Sequence, residues 1–130
     1  MHWRLGNEAT LNFYLTNYTD VSSLVTAIRN IAYIGGNTNT TGGLRLARTE
    51  IFNTANGDRP DVPNVAILIT DGNPTRDVSQ LPDEVLRYRS RDIRIIGVGV
   101  TNEVSGRAAT LFLSLFADKR TASRFLLQII

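Results

Sequence analysis

Two polar stretches hold the side chains of this 130-residue chain best suited to chemistry. Asp71 stands one residue beyond the apolar run Val65–Thr70, in the stretch Asp71-Gly72-Asn73-Pro74. In open α/β sheets ligands collect beyond the carboxyl ends of the strands, where this aspartate would lie. Its carboxylate suits a hard divalent cation, Mg²⁺ or Ca²⁺. The plainer account is a turn aspartate, because Asp-Gly is a common turn pair. Upstream, Thr38-Asn39-Thr40-Thr41 leads into a helical pattern. A hydroxyl from this loop could serve the same cation, or Thr40 or Thr41 could cap the helix. Asn37, Thr40 and Asp77 are further oxygen donors that could stand in for a missing ligand.

Other chemistries lack their parts. The chain has no cysteine, so disulfides and thiolate metal sites are excluded. His2 is the single histidine and sits at the terminus, with no Gly-x-Ser-x-Gly elbow to join it. No Gly-x-x-x-x-Gly-Lys phosphate loop occurs, and Gly35 to Gly43 does not fit the dinucleotide pattern. Asp77 is the only neighbour that could pair with Asp71 for acid–base work, on no evidence but proximity in sequence. The residues therefore speak for a binding protein rather than an enzyme. Two glycosylation triplets are present, Asn17-Tyr18-Thr19 and Asn39-Thr40-Thr41.

Composition adds bounds. Formal net charge is +2, and the arginines are scattered from Arg4 to Arg124 without a compact stripe, so nucleic acid is not an expected partner. No run of about 18 apolar residues exists to span a membrane. Met1 to Glu8 lacks the charged-then-apolar pattern of a signal peptide.

The elements that must position these residues follow from periodicity. Ala9 to Thr16 alternates apolar and polar, which predicts a half-buried strand. Asp20 is a suitable N-cap for a helix carrying Leu24, Val25, Ile28 and Ile31, ending before Gly35-Gly36. A second helix is expected over residues 44–53, with Leu44, Ala47 and Ile51 on one face, closed by a loop at residues 56–60. Val65–Thr70 reads as a strand buried on both faces, and residues 93–100 as another. Between them lies a helix with Pro82, Asp83 and Glu84 in its first turn and Arg87, Arg89 and Arg91 toward its end, an order that suits the helix dipole. Strands alternating with helices predict an α/β, doubly wound, mostly parallel sheet. Residues 107–116 read as an apolar helix, and 125–130 as strand or helix.

Taken in order, these stretches resemble the von Willebrand factor type A family, and within it the collagens and matrilins of the extracellular matrix. The resemblance is carried by Phe13-Tyr14-Leu15-Thr16-Asn17-Tyr18, Gly35-Gly36-Asn37-Thr38-Asn39-Thr40, the segment Ala55 to Pro63, Ile67-Leu68-Ile69-Thr70-Asp71-Gly72 and Ile95 to Val100. It implies a six-stranded sheet with helices on both faces and a metal-ion-dependent adhesion site at its top. That site draws on an Asp-x-Ser-x-Ser loop, a later threonine and an aspartate after the fourth strand. By motif, Thr38 matches the threonine and Asp71 the aspartate.

Two departures qualify what is implied. No Asp-x-Ser-x-Ser occurs, and the match begins near the end of the family's second strand, at Trp3-Arg4-Leu5-Gly6. An N-terminally truncated domain over residues 1–104 is therefore expected, without its first strand and first helix, followed by a divergent tail over 105–130. Two oxygen ligands do not hold Mg²⁺, which demands near-octahedral coordination. The family's Mg²⁺ or Ca²⁺ is accordingly not expected to bind this chain alone, and the uncovered sheet predicts marginal stability or aggregation. The implied role is an adhesion module of a secreted matrix parent, with collagens among its partners and no membrane insertion. An intracellular scaffold of the same family and a doubly wound nucleotide-dependent enzyme are the alternatives.

Overall fold

The structure, a computed structural model, describes residues 8–32, 36–70 and 74–99. His2, the Trp3–Gly6 start, Asp71, Val100 and the whole tail over 105–130, with its expected elements at 107–116 and 125–130, lie outside the described residues.

Two parallel strands organise the described chain. β1 is Val65–Thr70 and β2 is Arg94–Gly99, paired in register from Val65 with Arg94 to Thr70 with Gly99. Both are rich in β-branched residues, which suit a pleated, half-buried surface. Parallel strands need a crossover, supplied by helix α3 over Leu81–Ser90. Pro82 falls in the first turn of α3 and Asp83 and Glu84 follow it, as expected. Leu81, Val85 and Tyr88 recur at i, i+4 and i+7, and all three are buried. Leu44 of helix α2 (Thr40–Leu46) and Ile93 complete the core, with Phe52, Ala66, Leu68 and Ile95 packed around it. Each of these large side chains contributes about 1.5–3 kcal/mol of burial. Tyr88 is fully buried; its hydroxyl donates to the Leu44 carbonyl at 2.7 Å, and its ring meets Phe52 edge-on at 6.3 Å. The α/β class expected from the alternation of elements is thus met.

Four local expectations are corrected. β1 is not buried on both faces: Ala66 and Leu68 pack on the core, while Val65, Ile67 and Ile69 are exposed, Ile69 by 67%. Helix α3 covers one face, and among the described residues the other has no comparable cover; Ile96 and Val98 of β2 are likewise exposed. Residues 9–16 do not form a strand. Ala9, Leu11 and Phe13 are half-buried and Thr10 and Asn12 between them exposed, but a strand also needs a ladder partner, and the sole ladder among the described residues is β1–β2. The segment instead closes a turn in which Tyr14 N–H donates to Asn17 Oδ1 at 2.6 Å.

The second helix starts earlier than its apolar stripe suggests, at Thr40, and it changes to a π-helical turn over Ala47–Ile51, closed by Phe52 N–H on the Ala47 carbonyl at 2.9 Å. Its cap is Asn39, not Thr40 or Thr41: Asn39 Oδ1 accepts from Gly42 N–H at 2.7 Å. The Thr41 hydroxyl is drawn away to another loop, described below.

Helix α1, Val21–Arg29, has the predicted Asp20 cap, accepting from Ser23 N–H at 2.9 Å. Its apolar side is open to solvent, with Val21, Val25 and Ile28 all exposed.

Candidate metal-binding edge

Because β1 and β2 run parallel, both end at the same edge, and the loops beyond β1 must meet whatever lies above α2. They meet the loop that carries Thr38. The Thr38 backbone N–H donates to Thr75 Oγ1 at 2.9 Å, and its carbonyl accepts from the N–H groups of Thr75 at 2.9 Å and Arg76 at 3.3 Å. One helical turn on, the buried Thr41 hydroxyl donates to the Asp77 carbonyl at 3.0 Å. Asp77 holds a left-handed conformation, φ 50°, which an aspartate tolerates better than most residues. Four hydrogen bonds thus stitch two loops that lie more than 30 residues apart in sequence.

Helix α2 is anchored from below as well. Arg48 Nε lies 2.6 Å from Glu84 Oε1, and Arg48 Nη2 lies 3.2 Å from Oε2, a forked pairing. The pairing with Glu84 raises the Arg48 pKa above its usual value. Arg45 approaches the same carboxylate at 3.8 Å and bonds Gln80 at 2.8 Å. Burial pushes the Tyr88 hydroxyl well above the usual tyrosine range, with the Glu84 charge adding to the effect. The loop over residues 36–41 is therefore held at the top by hydrogen bonds and below by an ion pair.

Of the two sequence-derived metal residues, Thr38 sits at this edge, half-buried, and Asp71 lies outside the described residues. Of the stand-in donors, Asn37 and Asp77 are exposed, whereas Thr40 is buried in the first turn of α2. Among the described residues no group of three or more His, Cys, Asp or Glu side chains gathers to hold an ion. Asn17 is exposed, whereas Asn39 is half-buried and occupied with the α2 cap.

Periodicity alone missed the loop stitching and the Arg48–Glu84 pair. The pair did leave a signal: Arg48 falls four residues after Leu44, and Glu84 three after Leu81, each a charge of opposite sign inside an apolar stripe. The Thr38–Thr75 and Thr41–Asp77 bonds left none, because each has a backbone group as one partner, and backbone groups carry no sequence mark.

The model of the von Willebrand factor type A domain matches residues 4–125. The chain belongs to that family. Among curated proteins it is 40% identical over 95 residues to cuticlin-6 of Caenorhabditis elegans, covering 73% of this chain and 16% of that protein. It is 31% identical over 121 residues to the human collagen alpha-5(VI) chain, covering 88% and 5% respectively. With bovine cochlin it shares 33% identity over 70 residues, 54% of this chain and 13% of that protein. The chain therefore spans a sixth or less of these relatives' lengths. Among solved structures it superposes on proximal thread matrix protein 1 from the mussel byssus with a TM-score of 0.68 at 22% identity, covering 75% of this chain and 26% of that one. A form of that protein with a zinc-occupied MIDAS motif superposes with a TM-score of 0.64 at 30% identity, covering 75% and 24%. The relatives are matrix and cuticle proteins, so the fold and the extracellular-matrix branch expected from the sequence both hold.

Proposed function

We propose that this von Willebrand factor type A domain acts as a protein-binding module of an extracellular matrix parent, through the edge formed by residues 36–41 and 74–77. The observation that carries this reading is the stitched edge: Thr38 to Thr75 and Arg76, and Thr41 to Asp77, hold two polar loops in one arrangement before any partner arrives. Preorganised loops lose less entropy on association than mobile ones, and so gain affinity from the same contacts. Similarity to collagen and cochlin chains supports a matrix protein as the partner, with collagens first to be tested. The chemistry is recognition, not turnover.

In this reading Thr38 and Asp71 are two ligands of the family's metal site. Thr38 would supply a hydroxyl and Asp71 a carboxylate, and neither alone nor together do they satisfy Mg²⁺. Recognition by this segment alone then runs through hydrogen bonds from the stitched loops. Residues 1–104 are taken as the binding unit and 105–130 as a tail, of which the family match takes in residues 105–125. Of the two sequons, Asn17 is the more accessible acceptor, because it is exposed whereas Asn39 is half-buried.

The test is calorimetric titration of Mg²⁺ and Mn²⁺ into the purified chain, with circular dichroism recording its folded state, alongside binding to immobilised collagens with and without EDTA. Collagen binding that EDTA leaves unchanged, without metal heat from a folded chain, is the expected result. Micromolar metal affinity, or binding abolished by EDTA, would overturn the metal-free mechanism.

A further inference from the structure

The last carbonyls of a helix have no main-chain partner within it. After α2 and its π-helical turn, Ala47–Ile51, side chains fill that gap. The Arg48 carbonyl accepts from Arg91 Nη1 at 3.3 Å, the Thr49 carbonyl from Asn53 Nδ2 at 3.5 Å and the Glu50 carbonyl from Asn56 Nδ2 at 2.8 Å. The Asn56 bond is the shortest of the three, and Asn56 is half-buried. Asparagine is among the labile side chains, and Asn56-Gly57 is the one Asn-Gly pair in the sequence. Glycine places no Cβ beside its nitrogen, so that nitrogen can reach the preceding side chain.

We propose that Asn56 is a site of spontaneous deamidation, and that its conversion removes the side-chain cap on the Glu50 carbonyl and loosens residues 52–58. The Gly57 nitrogen gives up its proton to water or hydroxide and attacks Asn56 Cγ. The new N–Cγ bond closes a five-membered succinimide. The Cγ–Nδ2 bond breaks, and Nδ2 takes up a proton and leaves as ammonia. Water then opens the ring. Attack at the Asn56 main-chain carbonyl gives isoaspartate, with the chain routed through Cγ, and attack at Cγ gives aspartate. One water is consumed and one ammonia released.

The fold restrains both reacting groups. The leaving Nδ2 is bonded to the Glu50 carbonyl, and the Gly57 N–H donates to the Thr54 carbonyl at 3.3 Å. Reaction therefore waits on local opening. Such opening spares the core, because the described core cluster and the side chains packed on it include none from residues 53–64. After conversion a carboxylate, with no hydrogen to donate, replaces the amide. It would face a carbonyl oxygen at the negative end of a helix, where an anion is disfavoured. Isoaspartate also lengthens the main chain by one carbon. Gly57 has little slack to absorb it: a Cβ built there would collide with Thr16 Cγ2. Neither product can restore the cap. None of this depends on the edge proposed for protein partners.

The test is incubation of the full chain at neutral pH, folded and in urea, with tandem mass spectrometry locating each amide-to-acid mass gain. Asp71-Gly72 can close the same ring, but it exchanges water for water and changes no mass. In the folded chain Asn56 should convert ahead of every other asparagine, isoaspartate exceeding aspartate, at a rate about tenfold or more below that in urea. Hydrogen exchange then reads the consequence. Asn56→Asp should open the amides of residues 52–58 about tenfold more often than the parent, and Asn56→Ala less than that, since it removes the donor without adding charge. If Asn56→Asp fails to fold by circular dichroism, the same exchange is read on converted parent chain separated by ion exchange. The inference falls if another asparagine of the folded chain converts first, if folding does not slow the reaction, or if exchange over residues 52–58 is the same in the converted chain as in the parent.

Discussion

The guanidinium of Arg48 lies against the carboxylate of Glu84, Nε to Oε1 2.6 Å, with side chains 9% and 2% exposed. This is the one buried ion pair among the described residues, and it joins the π-helical turn after α2 to the first turns of α3. Taking two charges out of water is costly, and a good geometry is needed to recover that cost. Removing one partner leaves the other stranded. Glu84→Ala should therefore destabilise the fold by roughly 3–5 kcal/mol, whereas Arg48→Met/Glu84→Leu should cost much less. Urea unfolding of the three proteins decides the matter. Equal losses from the single and double variants would mean that the pair acts by packing and not by charge.

A second expectation concerns alkaline pH. Burial raises the Tyr88 hydroxyl above the usual value of 10.0, with Glu84 adding to the shift and Arg48 opposing it. A tyrosine whose pKa is raised on folding favours the neutral form in the native state. Its contribution is complete below pH 10 and is lost as pH climbs from there toward the folded value. Stability should thus fall progressively above about pH 10. Tyr88→Phe removes the bond to the Leu44 carbonyl, costing roughly 1 kcal/mol at pH 7, and should also flatten the alkaline decline. Urea midpoints at pH 7, 9 and 10.5 give both numbers. A decline as steep in the phenylalanine variant would assign it to other groups.

What was legible beforehand follows a physical division. β1 appears at Val65–Thr70 as expected, and α3 with Pro82 in its first turn, because a strong apolar run and a helix with end signals are local properties. Residues 9–16 carry the alternation of a strand without the ladder, since pairing is a property of the neighbour. Helix α2 extends four residues upstream of its apolar stripe because Asn39, a side chain able to reach Gly42 N–H, sets its start. At the site, Thr38 could be placed by motif, but the bonds to Thr75, Arg76 and Asp77 that hold its loop arise from a fold-level meeting of two distant segments.

The Asn39 cap gives a two-residue test. A Cβ at Gly42 would lie 2.9 Å from the Asn39 side chain, too close without displacing the cap. Gly42→Ala should destabilise, even though alanine is by about 1 kcal/mol the better helix former. Asn39→Ala should cost about 1 kcal/mol through the lost cap. In the Asn39→Ala background the obstruction is gone, and Gly42→Ala should then stabilise. The sign change is the signature, read from thermal or urea melts of all four proteins. Additive effects would show that cap and glycine are uncoupled.

The open face of the sheet yields the last expectation. Ile67 and Ile69 are 64% and 67% exposed, on the opposite side of β1 from Ala66 and Leu68. Exposed contiguous apolar strand surface favours self-association. Replacing both with threonine keeps the β-branched shape that a strand favours and adds a hydroxyl that water can satisfy. Ile67→Thr/Ile69→Thr should therefore change stability by less than about 1 kcal/mol, as for surface positions, while raising the concentration at which the chain stays monomeric. Sedimentation velocity over a concentration series reads the association, and urea unfolding reads the stability. A loss above about 2 kcal/mol would instead mean that these side chains are covered in solution, since that is the cost expected of buried isoleucines.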